Sequence, residues 1–564
     1  MKNMNYSQLI KVYEELSGTS KRLEKRDILS NFLRSVDKKN LENVINLLQG
    51  RNFPEWDSRK IGVGNQIIIK SLSNTAGIST KEINGLWADI GDLGKVTEKI
   101  MSKKRQATLV SESLTIKGVV IRNQKLSEIS GSGTVSKKVN IISELISSTT
   151  PVGAKYLVRI LLEDLRTGAG LGVIRDAISD AFDIEKSKIQ RSYDLTTDLA
   201  KVGFIAKTEG ESGLDNLTIN VGNPIKVMLF QKTETFDDAF DKVGTPAAIE
   251  YKYDGFRIQI HRNKSEIKLF TRNLEDVTRQ FPDIIEFVKR DINSKSFIID
   301  CEVIGYDQKT KIWRPFQDIS QRIKRKYDIE KMVKEVPIMI LAFDILFLDS
   351  KSLLETPFVK RRKKLNSVIK SEKLVIDVAK SIVTEDVKTA QSFYEGALLA
   401  GAEGVMVKNL EGIYKPGSRV GFGLKIKPVM ESLDLTIVGA EWGTGKRANW
   451  LSSFTLACRD GDTFLEIGKM GTGIKEKESG GLSFPQLTKL LKNNILSENG
   501  RNVRIEPGVI IEVEYEEIQK SSTYSSGFAL RFPRALGLRE DLSLDDVDNL
   551  KKITSLKDGQ RGRK

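Results

Sequence analysis

The sequence predicts a multidomain chain: an all-α N-terminal part, an α/β middle and a small C-terminal β-barrel. Three observations carry that prediction. Apolar residues recur at helical spacing through residues 1–218. Alternating strands, with helical stretches between them, occupy 219–429. From 430 to 564 short strands and Gly-rich turns dominate. A chain of 564 residues has room for about three or four domains.

In the first region Leu9, Val12, Tyr13 and Leu16 form one helical stripe, and Ile28, Leu29, Phe32, Leu33 and Val36 a second. A third, Leu157, Ile160, Leu161 and Leu165, is expected to run up to Gly168. In the middle region Phe256, Ile258 and Ile260 alternate, then Ile267 and Leu269, which reads as a hairpin turning at Asn263–Ser265. FIIDCEVIGY and IMILAFDILFL are further strands, and DVTRQFPDIIEFVKR reads as helix. In the last region DLTIVGAEW, FTLACRDGDTFLEIG and VIIEVEYEEI are strands, interrupted by one helical stretch, FPQLTKLLKNN. Short strands and one helix in this span suit an OB-fold. The short basic tail KDGQRGRK is expected to be disordered.

Composition narrows the chemistry. Lys and Arg exceed Asp and Glu by 90 − 75 = 15, which favours a polyanionic partner. Cys301 and Cys458 are the only cysteines and His261 the only histidine. A disulfide framework, a four-cysteine zinc site and a two-histidine metalloprotease site are therefore excluded. Lys, Arg and carboxylates must carry any catalysis. No signal-peptide core and no apolar stretch of 18 residues is present, so the expectation is a chain without a membrane span, in a reducing cytoplasm.

EYKYDGFR (250–257) is the most informative stretch. Lys252 has carboxylates two residues before and two after it, and Arg257 follows five on. Strand alternation puts 250, 252 and 254 on one face. A lysine amine attacks only when it has lost its proton, which nearby cations or desolvation favour. For an arbitrary K-x-D-G, a solvated strand edge is the commoner reading. Six further motifs change that balance: LFTRNLEDVT (269–278), FIIDCEVIGYD (297–307), LAFDILFLD (341–349), AEGVMVKN (402–409), GLKIKP (423–428) and RFPRALGLRED (531–541). In this order they resemble the ATP-dependent DNA ligases of the archaeal and eukaryotic replicative type. NPIKVMLFQK, WGTGKRANWLSSFTLA and LVRILLEDLRTGAG extend the likeness over nearly the whole chain.

The resemblance implies a helical DNA-binding domain, an adenylation domain and an OB-fold domain. It implies that Lys252 attacks the α-phosphate of ATP and that Glu250 contacts the adenine edge. Arg257 and Arg272 match residues that hold ribose and phosphate, and Phe343 the aromatic that stacks on adenine. Glu302 matches a carboxylate on ribose and metal, and Glu403 a metal-supporting carboxylate. Arg419, Lys425 and Lys427 match cations that grip the triphosphate, and Arg531 and Arg534 match residues that orient pyrophosphate. Asp541 is followed by Leu542 where the family commonly has lysine. Asp300 shares a strand face with Glu302, and hard oxygen donors point to Mg²⁺, with Mn²⁺ as substitute.

Nucleotidyl transfer is mostly positioning and charge neutralisation, which explains the many cations. The implied partner is nicked double-stranded DNA, bound by a monomer through phosphate contacts. The segment 104–116, with Gln106 and Leu109, resembles a sliding-clamp tether but lacks the usual aromatic pair. The alternatives are an RNA ligase or capping-type nucleotidyltransferase, and a non-catalytic nucleic-acid-binding clamp.

Overall fold

The computed structural model describes residues 4–57, 59–103, 114–314, 316–324, 328–428, 430–443, 447, 449–476 and 482–560. Most of the clamp-like segment, 104–113, lies outside them. The chain divides into two compact units. One comprises Met1–Phe230, Gly255–Ala379 and Leu410–Gly421; the other comprises Gln231–Asp254, Lys380–Asn409 and Phe422–Lys564.

The first unit begins with helices from Tyr6–Gly18 to Gly210–Asp215. Two apolar clusters hold them together, one around Leu9, Tyr13, Leu33 and Val44, the other around Ile68, Leu72, Val96 and Ile142. The helix Pro151–Leu161 serves both: Tyr156, Leu157 and Ile160 join the first cluster, and Ala154, Val158 and Leu161 the second. Every residue from Gly153 to Leu161 is buried, as expected of a helix packed on all sides. Its two cations are paired, Lys155 with Glu14 at 2.8 Å and Arg159 with Asp92 at 2.6 Å. The helix stops at Leu161, before Leu165, because Glu163 and Arg166 take left-handed backbone.

The same unit holds a sheet in the order Glu266–Thr271, Phe256–Asn263, Ser296–Tyr306, Ile338–Leu348, Lys351–Ser352. The hairpin turns with Lys264 at φ 56° and Asn263 opposite Glu266. Val277 precedes a short 3-10 turn, so the following helix spans only Pro282–Asp291, with Pro282 in its first turn. Phe297, Ile299, Cys301 and Val303 face its core. His261 is 1% exposed, and burial, with Lys268 nearby, pushes its pKa down to about 3, so it is a neutral core residue. Its Nδ1 accepts from Gly222 N at 3.0 Å.

The second unit contains the strands Ser381–Thr384, Ala247–Lys252 and Gly404–Asn409, paired in that order, and the β-rich C-terminal domain. In that domain Leu433–Trp442 pairs with Leu451–Asp460 on one edge and, in tandem, with Asn502–Ile505 and Ile510–Glu514 on the other. Register shifts at Ile437/Gly439 and Glu441/Trp442 let one strand bend between those partners. Phe454, Leu456, Ile511 and Phe484 fill its core. The helix Phe484–Leu491 was expected. A second, Leu550–Gly559, was not; it buries Ile553 and extends into the tail read as disordered, so that Lys557–Gly559 are helical. Its polar composition hid it, but Asn549 caps it through Lys552 N.

Candidate active site

The strand Ala247–Lys252 carries the proposed nucleophile as its last residue. Gly404–Asn409 pairs with it and then with Arg419–Ile426. The registers set Glu250, Met406 and Lys425 in one row, Ala248, Lys408 and Gly423 in the next, and Lys252 opposite Gly404. Directly paired residues share a face, so Glu250, Lys252, Lys408 and Lys425 project from the same side. On the other side Ile249, Val405, Val407, Leu424 and Ile426 are buried. Gly404 is obligatory: its φ is +147°, and an added Cβ would lie 2.1 Å from Ile426 O. The position across from Lys252 thereby carries no side chain.

Glu403 organises the charges there. Its carboxylate accepts from the Lys252 ammonium and from Lys427 at 2.9 Å, while its N–H donates to Lys252 O at 2.7 Å. Burial alone would raise the Glu403 carboxyl, but Lys252 and Lys427 outweigh it and hold it well below the usual carboxylate range. Burial disfavours the Lys427 ammonium, but Glu403 and Glu516 reverse that and raise its pKa. Lys427 reaches Glu516 of the β-rich domain at 3.0 Å. Arg531 of the same domain lies 3.8 Å from Asp254 and 3.3 Å from Glu517. Arg534 is exposed and pairs in register with Glu514. Glu250 forms an ion pair with Lys408.

The first unit contains a second set. Arg257 donates to Asp300 at 2.6 Å, to the Tyr414 hydroxyl at 2.9 Å and to Met228 O at 3.2 Å. Tyr414 donates to the same Asp300 oxygen at 2.8 Å and accepts from Met228 N at 3.2 Å. Asp300 is fully buried; its Oδ2 serves both Arg257 and Tyr414, while its Oδ1 is buried without a hydrogen-bond partner among the described residues. Glu302, half-buried, sits opposite Arg257 in register. Phe343 is the extra residue of a β-bulge: Asp300 pairs with Asp344 and Cys301 with Ala342. The bulge re-aims its ring, over which the Arg257 guanidinium lies at 5.2 Å. Arg361 locks the bulge by gripping Asp344 at 2.7 and 2.9 Å. Gly255, of the K-x-D-G stretch, is also obligatory, since an added Cβ would lie 2.3 Å from Val303 O. Cys301 is buried between Asp300 and Glu302, and burial, with those carboxylates, raises its pKa and keeps the thiol inert. Arg272 and Arg419 are exposed.

Comparison with known proteins gives the same picture from a different side. The description "ATP dependent DNA ligase domain" matches residues 227–427, "DNA ligase N terminus" 5–179, and "ATP dependent DNA ligase C terminal region" 447–542. The DNA ligase of Nanoarchaeum equitans is 43% identical over 99% of both chains. That of Thermococcus fumicolans is 40% identical over 98% of both. The chain belongs to the ATP-dependent DNA ligases. The fold agrees: a solved structure described as Pmar-Lig_Pre. superposes with a TM-score of 0.57 at 17% identity, covering 94% of this chain and 99% of that one.

Several residues of this ligase had no signal in the motifs as read. Tyr414 follows no periodic pattern. Arg361 looks like an ordinary surface charge, and Asp344, though it stands inside LAFDILFLD, gains its partner only when the fold brings the two together. Lys408 was legible in principle, since 404, 406 and 408 alternate on one strand face. Among the described residues no group of three or more His, Cys, Asp or Glu is arranged to hold a metal ion. No helix among them is long and apolar enough to cross a membrane.

Proposed function

We propose that the chain seals nicks in duplex DNA through three nucleotidyl transfers with Lys252 as the covalent carrier. First, the Lys252 nitrogen bonds the α-phosphorus of ATP as the bond to the departing pyrophosphate breaks. Next, an oxygen of the nick's 5′-phosphate takes the adenylate and the phosphorus–nitrogen bond breaks. Finally, the 3′-hydroxyl oxygen bonds that 5′-phosphorus and AMP leaves. One observation carries this reading: Lys252 and Lys427 share a single carboxylate, Glu403, opposite a glycine. An ion-paired ammonium has no lone pair, so the amine must give up its proton before it attacks. An incoming triphosphate offers Lys427 a stronger partner than Glu403 does.

In this reading Glu250 faces the adenine edge and Phe343 stacks on the base. Arg257 and Arg272 hold ribose and phosphate, and later the nick's 5′-phosphate. Arg419, Lys425 and Lys427 grip the triphosphate, and Arg531 and Arg534 orient pyrophosphate. Glu302 and Glu403 are hard-oxygen donors suited to Mg²⁺, which is often held by one or two carboxylates plus substrate phosphates. When bound, the ion would neutralise phosphate charge. We read the ligase as a cytoplasmic monomer, with 104–116 as a clamp tether. The excess of 15 positive charges supports phosphate-led binding of nicked DNA.

The test is intact mass after incubation with ATP and Mg²⁺. The wild type should gain one AMP, and Lys252→Ala none. A labelled Lys252→Ala protein would overturn the assignment. Binding to nicked duplex should weaken with a log–log salt slope of about −0.9 per phosphate neutralised, and a slope near zero would refute phosphate-led binding.

A further inference from the structure

Lys427 has one ion pair more than the mechanism above uses. Glu403 holds it at 2.9 Å, and a second carboxylate, Glu516 of the β-rich domain, holds it at 3.0 Å. With Lys252, two cations and two carboxylates balance one another. A triphosphate brought to Lys427 adds like charge beside both carboxylates, so one of them must give way.

The two are not equally free to move. Glu403 is 16% exposed, also serves Lys252, and is tied to Lys252 O through its own N–H. Glu516 is 45% exposed, and Lys427 is its only ion-pair partner among the described residues. Its backbone is nevertheless fixed. Tyr515 beside it is buried in the barrel core, and the Glu516 N–H donates to Arg531 O at 2.9 Å. The next residue, Glu517, pairs in register with Arg531. The same pair of strands therefore presents Arg531 and, at its start, a carboxylate that can leave Lys427 for water and come back.

We propose that Glu516 is a positioning residue that competes with the phosphate end of the nucleotide for Lys427: it retakes the ammonium as pyrophosphate departs and opposes pyrophosphate's return. This rests on the reading that Lys427 grips the triphosphate. Return matters because adenylation runs both ways. In the reverse step a pyrophosphate oxygen bonds the α-phosphorus as the bond to the Lys252 nitrogen breaks, and the freed amine takes up a proton, giving ATP. A carboxylate on Lys427 weakens the hold on ATP and on pyrophosphate alike, since both need the same cation.

The experiment uses the full chain with Mg²⁺ and reads two half-saturating concentrations: that of ATP for forming the enzyme–AMP adduct, and that of pyrophosphate for releasing ATP from it. Every variant is checked for folding by thermal unfolding. Glu516→Gln should lower both by about two- to fivefold, the range for an ion pair that water reaches, and leave the rate at saturating ATP unchanged. Glu516→Ala should match it and serves if the glutamine variant does not fold. A merely structural loss would lower the saturating rate and leave the half-saturating concentrations in place. Lys427→Gln should raise both concentrations, and Glu516→Gln added to it should change nothing further. Glu514→Gln removes the same charge two residues away, from a pair with Lys232 at 3.3 Å, and should keep the wild-type values. If the Glu516 variants keep the wild-type values while Lys427→Gln raises them, the inference on Glu516 is wrong and the reading of Lys427 stands. An equal drop in Glu514→Gln, or in the Lys427→Gln background, would trace the effect to net charge and overturn the contact. If Lys427→Gln leaves both concentrations unchanged, the reading of Lys427 fails, and this inference with it.

Discussion

The charges around Lys252 and those around Arg257 are held in different ways. Lys252, Glu403 and Lys427 keep 23%, 16% and 17% of their side chains exposed, and those side chains are joined by ion pairs. The Arg257 set includes Asp300 at 0% and Tyr414 at 2%, and combines an ion pair with hydrogen bonds to a phenol and a backbone carbonyl. Ion pairs reached by water exchange partners readily when a stronger anion arrives. A buried network whose members share several hydrogen bonds stays in place. In the proposed reaction the first arrangement suits cations that change partners during adenylate transfer; the second suits a fixed template.

The largest expected effect lies in the fixed region. Arg361→Met leaves the Asp344 carboxylate buried and unpaired beside the Phe343 bulge, and should cost about 3–5 kcal/mol in denaturant unfolding. An unchanged midpoint would mean that the bulge does not depend on that pair. Tyr414→Phe keeps the Arg257–Asp300 pair but removes the shared hydroxyl. It should cost about 1–2 kcal/mol and slow sealing, with folded structure retained by circular dichroism. Full activity in that variant would show that Arg257 needs no such anchor.

The exchangeable region should respond to pH instead. The folded Glu403 carboxyl titrates below its ordinary value of 4.5, so its stabilisation is present above pH 4.5 and is lost as pH falls through the depressed value. Lys427 is raised above 10.5, so its contribution is present below pH 10.5 and is lost as pH rises through the raised value. Glu403→Gln should therefore flatten the acid side of a Tm-against-pH profile below pH 4.5, and the same acid slope as wild type would count against the pairing. The smallest effect is expected at Glu516, which is 45% exposed. Glu516→Gln should change stability by less than about 1 kcal/mol, and chemical denaturation would detect anything larger.

Much of the strand layout around Lys252 was legible because it is local. In GLKIKP the alternation predicted that Lys425 and Lys427 leave one side of a strand while Leu424 and Ile426 are buried, and Leu424 and Ile426 are 1% and 3% exposed. The hairpin at Asn263 was legible for the same reason. The helix over 550–559 packs Leu550, Ile553 and Leu556 on the core, and was missed because three apolar residues in so short and polar a segment give little period to read. The helix ending at Leu161 was overextended because a left-handed turn at Glu163 overrides a continuing apolar stripe.

By itself the sequence determined the family and which residues alternate along each strand, and it pointed to Lys252 as the proposed nucleophile, because those depend on chain neighbours. Tertiary structure alone decided the pairings. Lys252 meets a carboxylate 151 residues away, and Tyr414 meets Asp300 across 114. Which cation meets which anion is set by strand register and by one bulge, and a shift of one residue would turn every such side chain to the opposite face.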